Sequence, residues 1–202
     1  ATPVGEIIDL RHFLHEMRLF KSAAEQKAMR RAGEVTAAAH VRAMRYAAPG
    51  RNEAQVEAEI LHEFAMNGCR HAAYNCIVAG GANGCILHYN ENDQALNDGE
   101  LLLVDAGAEC QGYAADITRT FPVNGRFSKE QRAIYALVLK AQAAAIAQVR
   151  PGIPWKLIHE TSVRVLTEGL LELGILKGKL KELVAQEAHK PYSLHKTGHW
   201  LG

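Results

Sequence analysis

The stretch LLLVDAGAECQGYAADITRTFPVNG, Leu101 to Gly125, places two aspartates, Asp105 and Asp116, in sequence that is otherwise typical of β-strands. The apolar runs on either side of Gly112 predict a hairpin of two strands. If the turn is centred on ECQG, Asp105 lies directly opposite Asp116 and shares a face with it. Two ionised carboxylates at such a short distance repel each other, unless a shared proton, a basic side chain or a bound cation compensates for the repulsion.

A bound cation is the interpretation that fits this hairpin best. The nearest basic residue is Arg119, whose odd offset from Asp116 puts it on the other face of the strand. Facing carboxylates with imidazole nearby are typical ligands of one divalent metal or a pair of them. The alternative is that the aspartates belong to turns or strand ends in solvent, but the flanking runs LLLV and AADI favour burial of both.

Three of the ten histidines stand out by their surroundings. His88 follows the apolar run GCIL, where we expect a strand to end. His195 and His199 lie four residues apart in LHKTGHWLG, which we expect to be extended. Residues i and i+4 of a strand share a face, so one histidine could bind a metal while the other, about 13 Å along, reaches a substrate. A hydrogen-bonded histidine of the core or rim is the alternative for each.

The segments around the hairpin predict an α+β domain with a mostly antiparallel sheet and covering helices. Ser22 and Glu25 form a capping-box pattern at the start of a long helix, and Asn52 and Ser128 are further cap residues. The predicted elements are helices over 23–47, 52–68 and 128–150, a helix ending at Gly174, a short helix within 179–190, two β-runs within 74–92 and an extended stretch after Pro191.

The composition is that of an ordinary globular protein. The 202 residues are 48% hydrophobic with a net charge of +1, so no nucleic-acid or membrane partner is indicated. The spacing of the four cysteines matches no zinc or disulfide framework, and we predict reduced thiols. Without a signal sequence or a long apolar run, we expect a cytoplasmic protein. Because the chain begins without methionine and ends at HWLG, we expect it to be a piece of a longer one.

Together these motifs resemble the C-terminal catalytic domain of Xaa-Pro aminopeptidase (aminopeptidase P), which has the pita-bread (creatinase/aminopeptidase) fold. The resemblance runs from HEMRLFKSAAE through YNCIVAGGANGCILHYNEN and DAGAECQGYAADITRTFPVNG to HKTGHWLG. Methionine aminopeptidase shares the aspartate pair and a later histidine, but DITRTFPVNG and GHWLG are similar to the proline-specific branch. Prolidase, an Xaa-Pro dipeptidase, is the neighbouring alternative.

The resemblance implies a site for two divalent metals, usually manganese, held by two aspartates, one histidine and two glutamates. It assigns Asp105 to one metal, Asp116 to a bridge between both, and His199 to the other metal. The implied reaction is attack of a metal-bound hydroxide on the carbonyl before a proline, which releases the first residue of a peptide with proline second.

The resemblance also implies roles for residues that do not bind metal. His88 and His195 match positions that hold the substrate and the developing oxyanion. Tyr74 matches a tyrosine that is hydrogen-bonded near the metals. The family commonly forms dimers or tetramers, so we expect a homo-oligomer that acts on peptide substrates.

Part of the family pattern lies beyond this chain. The two glutamate ligands follow GHWLG in the family, so the fold is expected to be incomplete at its C-terminus and the chain alone to be inactive. Residues 1–20 match the tail of a preceding domain and its linker, and residues 21–202 the first two-thirds of the pita-bread domain. Two alternatives to an enzyme stay open: a non-catalytic pita-bread module that binds peptides or proteins, and a plain α+β domain whose aspartates are turn residues.

Overall fold

The computed structural model of this protein describes Gly5 and residues 8–201. Within them the helices are α1 Leu10–Leu19, α2 Ala23–Tyr46, α3 Glu53–Met66, α4 Lys129–Ile146, α5 Trp155–Glu172 and α6 Leu180–Ala185. The strands are β1 His71–Ala72, β2 Ile77–Gly80, β3 Leu101–Ala106, β4 Ala108–Cys110, β5 Tyr113–Ala114 and β6 Ile117–Pro122, and a 3-10 helix covers Gly81–Cys85. The chain divides into a first unit, up to Arg126 with Leu201, and a second unit, Phe127–Trp200.

The helices begin where the sequence places their caps. Ser22, Asn52 and Ser128 each accept a hydrogen bond from a backbone N–H of the helix they precede, and each is part of a capping box. Gly68, predicted to end the second helix, has a φ of 81°, which glycine adopts without strain. Helix α1 was not anticipated, because residues 1–20 were assigned to a tail and linker.

Two antiparallel sheets of three strands form the β part of the first unit. Their orders are β1-β4-β5 and β2-β3-β6. In β3, Leu102, Val104 and Ala106 are fully buried while their neighbours are half-buried. Helices α2 and α3 pack on this face through Val35, Ile60 and other apolar residues of one contiguous core. The predicted α+β class with antiparallel sheet and covering helices is confirmed.

The second of the two β-runs predicted within 74–92 is wrong. After β2 the chain enters the 3-10 helix Gly81–Cys85 and a turn, and β2 pairs with β3 instead. Gly81 has a φ of 52°, and a Cβ atom there would displace the carboxyl group of Glu100. The chain therefore leaves the strand at Gly81, because this glycine takes a backbone angle that strand residues avoid.

The prediction that all four cysteines are reduced is also wrong. Cys69 and Cys110 form a disulfide, with Cα atoms 5.0 Å apart and a sequence separation of 41. Pairing of β1 with β4 brings these two segments together, and sequence spacing carries no sign of that pairing. Cys76 and Cys85 are free cysteines, the first buried and the second exposed.

The second unit is built on the antiparallel pair α4 and α5. Its small core contains Leu137, Ala141, Val165 and Leu170. Gly169 allows this contact, because a Cβ atom there would lie 2.1 Å from a methyl carbon of Leu137. The stretch after Pro191, predicted to be extended, has no strand among its described residues. No helix in the described part of the chain is long and apolar enough to cross a membrane.

Candidate metal centre

The hairpin that carries the two aspartates has a different register from the predicted one. Asp105 pairs with Thr118, so the prediction that it lies directly opposite Asp116 is wrong by two residues. The central turn residues are Gln111 and Gly112, with φ values of 57° and 80° that are typical of a type I′ turn. The register differs by two residues, an even number, and a single hydroxyl, that of Tyr74, lies within hydrogen-bonding distance of both carboxylates, so the two aspartates still lie on one side of the hairpin.

The hairpin bends between the two sheets at Gly107. A Cβ atom there would lie 1.8 Å from the carbonyl oxygen of Ala115, so only glycine allows the two strands to approach this closely. Beyond the bend, Ala108 N–H donates to Thr36 Oγ1 at 2.9 Å, which ties β4 to helix α2. The aspartates flank this bend: Asp105 is half-buried, but Asp116 is exposed, so the expected burial of both is wrong for Asp116. The buried side chain at that end of the turn is Ala115.

Tyr74 joins the two carboxylates. Its hydroxyl oxygen lies 2.6 Å from Asp105 Oδ1 and 3.1 Å from Asp116 Oδ1. One hydroxyl proton can be donated to only one carboxylate at a time, and the shorter distance favours Asp105. Burial, the hydrogen bond to Asp105 and the negative charge of both carboxylates raise the pKa of Tyr74 far above its ordinary value. Tyr74 is therefore a neutral hydrogen-bond donor at neutral pH, and both carboxylate oxygens lie within hydrogen-bonding distance of it.

His199 and His195 belong to the second unit and are both exposed. His199 Nδ1 lies 2.7 Å from the backbone oxygen of Trp200. A proton on Nδ1 in that bond puts the lone pair on Nε2, the tautomer in which imidazole binds a metal. His195 lines a cavity of about 1050 Å³ within this unit, together with Trp155 and His159. Because the segment is irregular, the strand spacing predicted for the two histidines does not apply.

His88 lies in the first unit, in the turn after the 3-10 helix and not at the end of a strand. It is exposed, with a φ of 56°, a backbone conformation that few residues other than glycine adopt. The next residue, Tyr89, is buried and anchors the turn in the core. The turn therefore exposes the side chain of His88 to solvent, while the buried side chain of Tyr89 holds the turn in place.

Glu53, which the sequence did not single out, anchors this turn. It is fully buried, and its carboxylate accepts from four donors: Gly80 N–H at 2.7 Å, Asn83 Nδ2 at 3.0 Å, Tyr89 Oη at 2.7 Å and Gln94 N–H at 3.0 Å. Burial and the bond to Glu53 raise the pKa of Tyr89 to about 12, so it stays a donor. The only local signal was a glutamate directly after a helix cap, which occurs at many helix starts.

The structure thus brings together Tyr74, Asp105 and Asp116 of the predicted site. In the part of the chain that the structure describes, no group of three or more His, Cys, Asp or Glu side chains is placed to hold a metal ion. The assignment of His199 as a third ligand, and of His88 and His195 to substrate, stays a prediction. What the first unit offers is a pair of carboxylates with a shared hydroxyl donor.

Antiparallel sheet, covering helices and a carboxylate pair on a bent hairpin are features of one class of hydrolases. The chain belongs to metallopeptidase family M24, whose sequence profile matches residues 27–202. Among its relatives is the Xaa-Pro aminopeptidase of Haemophilus influenzae, which is 52% identical over 202 residues, covering 100% of this chain and 47% of that protein. The predicted resemblance to this family is confirmed.

Solved structures agree with this assignment. Aminopeptidase PepP of Pseudomonas aeruginosa superposes with a TM-score of 0.96 at 54% identity, over 100% of this chain and 46% of that one. Zinc-substituted aminopeptidase P of Escherichia coli in complex with product gives a TM-score of 0.94 at 52% identity, over 96% of this chain and 44% of that one. The predicted pita-bread fold class is confirmed, and the chain spans about half the length of the relatives it matches.

Proposed function

We propose that this chain supplies part of the active site of a metal-dependent aminopeptidase that releases the N-terminal residue from peptides with proline in second position. The observation that carries the proposal is the carboxylate pair Asp105 and Asp116, joined by the Tyr74 hydroxyl in a chain of family M24. The 52% identity to an Xaa-Pro aminopeptidase supports the same substrate class. It favours this reading over prolidase and over a non-catalytic binding module.

The residues present fit a divalent metal. Two carboxylates that share one hydroxyl donor repel each other less when a cation lies between them, and oxygen ligands suit manganese. We assign Asp105, Asp116 and His199, the last through Nε2, as the residues of this chain that would hold the metal. Two Mn²⁺ in the complete active site are part of the proposal. When bound, the metal supplies a Lewis acid that polarises the peptide carbonyl and activates water.

The remaining site residues bind, orient and hold protons. Tyr74 stays protonated, and its hydroxyl donates a hydrogen bond to the Asp105 carboxylate. This bond fixes the orientation of the Asp105 carboxylate relative to that of Asp116. We assign His88 and His195 to the substrate, where an imidazole N–H stabilises the oxyanion that develops at the carbonyl. Residues 21–202 then form the first part of the pita-bread domain. We further place the enzyme in the cytoplasm, as a homo-oligomer acting on peptides.

Metal binding by the 202-residue chain tests this assignment. Asp105→Asn and Asp116→Asn should each weaken Mn²⁺ binding by about tenfold or more, because each removes a charged ligand. Isothermal titration calorimetry or Mn²⁺ electron paramagnetic resonance measures this affinity. The control is Glu109→Gln, a carboxylate of the same hairpin that should leave the affinity unchanged. Unchanged binding in both asparagine variants would contradict the metal site.

The peptidase activity needs a separate measurement. We expect no turnover of an Xaa-Pro peptide by the 202-residue chain and manganese-dependent turnover by the longer polypeptide that includes it. Turnover by the 202-residue chain would show that the expectation of inactivity is wrong. A longer polypeptide that binds Mn²⁺ but cleaves peptides without proline at the second position equally well would contradict the substrate class.

A further inference from the structure

The Cys69–Cys110 disulfide ties the end of β4, in the sheet β1-β4-β5, to the residue two positions before β1, whereas Asp105 lies in β3 of the other sheet. The Cα separation of the two cysteines, 5.0 Å, is within the range in which a disulfide forms without backbone movement. Both cysteines are buried in the core of the first unit. Because both are buried, exchange at the bond requires local opening, and Cys110 directly precedes the exposed turn residues Gln111 and Gly112, where such opening can begin.

The segment after Cys69 has few other restraints. Strand β1 contains only His71 and Ala72 and lies at the edge of the sheet β1-β4-β5. It pairs with two residues of β4, and the next amide, Ala73 N–H, donates to Gly107 O at 2.8 Å. A strand of two residues is marginal without further support. The covalent bond is therefore a main tether of this segment to the hairpin.

The tethered segments carry the groups of the metal centre. Tyr74 lies two residues after the tethered edge strand, and its hydroxyl contacts both carboxylates. Asp105 precedes β4, which ends at Cys110, and Asp116 follows the turn that begins there. The disulfide thus joins the segment that carries the donor, Tyr74, to the hairpin that carries the acceptors, Asp105 and Asp116.

We propose that Cys69 and Cys110 are a reversible thiol–disulfide modification site, and that the disulfide orders the Tyr74 segment against the aspartate hairpin. The oxidised form holds the donor and the two carboxylates in place before a metal binds, so its affinity for the metal is higher. The effect on metal affinity rests on the proposed function, whereas the ordering of the Tyr74 segment does not.

The oxidation is a thiol–disulfide exchange with a low-molecular-weight disulfide such as oxidised glutathione. The thiolate of one cysteine attacks the small disulfide and releases one small thiol, and the second thiolate then displaces the other. One bond forms between the two Sγ atoms and the bond of the small disulfide breaks. The protein loses two electrons and two protons, which the two small thiols carry away.

Thiol counting gives the first test. After treatment with oxidised glutathione, the denatured chain should show the two thiols of Cys76 and Cys85, and four thiols after reduction with dithiothreitol. Mass spectrometry after differential alkylation should recover a peptide pair that joins Cys69 to Cys110. Four free thiols in the treated protein, or a bond that involves Cys76 or Cys85, would overturn the proposal.

Hydrogen exchange gives the second test, in oxidised and reduced wild-type protein. We expect the amides of residues 70–76 to exchange about tenfold faster after reduction, because local opening becomes easier. The Mn²⁺ dissociation constant should rise by roughly three- to tenfold. Equal exchange over 70–76 in the two forms would overturn the ordering role. If exchange differs but neither form binds Mn²⁺, the proposed function fails while the modification site stands.

Variants distinguish the disulfide cysteines from the free ones. The double variant Cys69→Ser/Cys110→Ser should exchange like the reduced wild type and should not respond to oxidised glutathione. The control Cys85→Ser, at an exposed free thiol, should respond as the wild type does. A double variant that still becomes protected in oxidant would contradict the proposal. If the double variant does not fold, the comparison of oxidised with reduced wild type decides the question.

Discussion

The two units of the chain differ in the size of their apolar cores. In the first unit, the residues between α2 and the end of β6 form one contiguous core in which Ile60, Phe64, Leu102 and Val104 are almost fully buried. In the second unit the core is small, and large apolar side chains remain exposed, Ile146 by 63% among them. The carboxylate pair therefore lies in the unit with the larger core, although that unit also leaves large apolar side chains exposed, Met17 by 75% and Phe20 by 87% among them.

Helix α4 shows how this difference arises. Leu137 and Ala141 face α5 and are buried, whereas Val138 and Ile146, on other sides of the same helix, are exposed. A helix that is apolar on several sides is typical of a position covered on more than one side. Helix α2 instead buries one stripe of mainly small residues, and its exposed side carries charged residues and alanines together with Val41 and Met44.

The largest effect is expected in the core of the first unit. Phe64→Ala should lower the free energy of unfolding by about 3–5 kcal/mol, because it opens a cavity in a fully packed region. The control on the same helix is Leu61→Ala, where the side chain is 41% exposed and the loss should stay below about 1 kcal/mol. Urea unfolding followed by circular dichroism measures both. Equal losses in the two variants would show that the side chain of Phe64 is no more tightly packed than that of Leu61.

A smaller loss is expected at the buried carboxylate that anchors the His88 turn. Glu53→Gln should cost about 2–3 kcal/mol, since the amide NH₂ cannot accept from the donors that the carboxylate satisfies. Glu57→Gln, one helical turn later, replaces a half-buried acceptor of Asn92 and should cost less than about 1 kcal/mol. Urea unfolding gives both values, and hydrogen exchange over residues 81–94 should accelerate only in Glu53→Gln. Wild-type exchange in that variant would contradict the anchoring role.

The smallest effect on stability is expected on the exposed face of α4. Ile146→Ser should change the free energy of unfolding by no more than about 0.5 kcal/mol, because the side chain is already in contact with water. The same change should reduce binding of the dye ANS, which reports exposed apolar surface. Both tryptophans, Trp155 and Trp200, lie in the second unit, so tryptophan fluorescence follows its unfolding. A loss comparable to that of Phe64→Ala would mean that this face is buried in solution.

Local signals in the sequence predicted the helices well. Ser22, Asn52 and Ser128 begin helices as expected, because a cap residue bonds to backbone amides within three residues of itself. The hairpin was predicted but its register was not, since the choice between neighbouring turn centres depends on which residues adopt positive φ. The face shared by Asp105 and Asp116 survived that error because of the two-residue period of a strand.

Contacts between segments far apart in sequence could not be predicted from local sequence patterns. The disulfide between Cys69 and Cys110 depends on the pairing of β1 with β4, and the four donors of Glu53 come from residues 27 or more positions away. The positions of His88 and His195, in a turn and an irregular segment, likewise follow from packing and not from local propensity. Their roles, and that of His199, remain predictions.

The sequence by itself determined the class of fold, the family and the pair of acids, because helix caps, strand periodicity and the DAGAECQGYAADITRT motif are all local patterns. Only the tertiary structure decided that Tyr74 lies within hydrogen-bonding distance of both Asp105 and Asp116, and that a disulfide ties its segment to their hairpin. The physical reason is that these contacts join strands far apart in the chain, whose meeting depends on how the whole core packs.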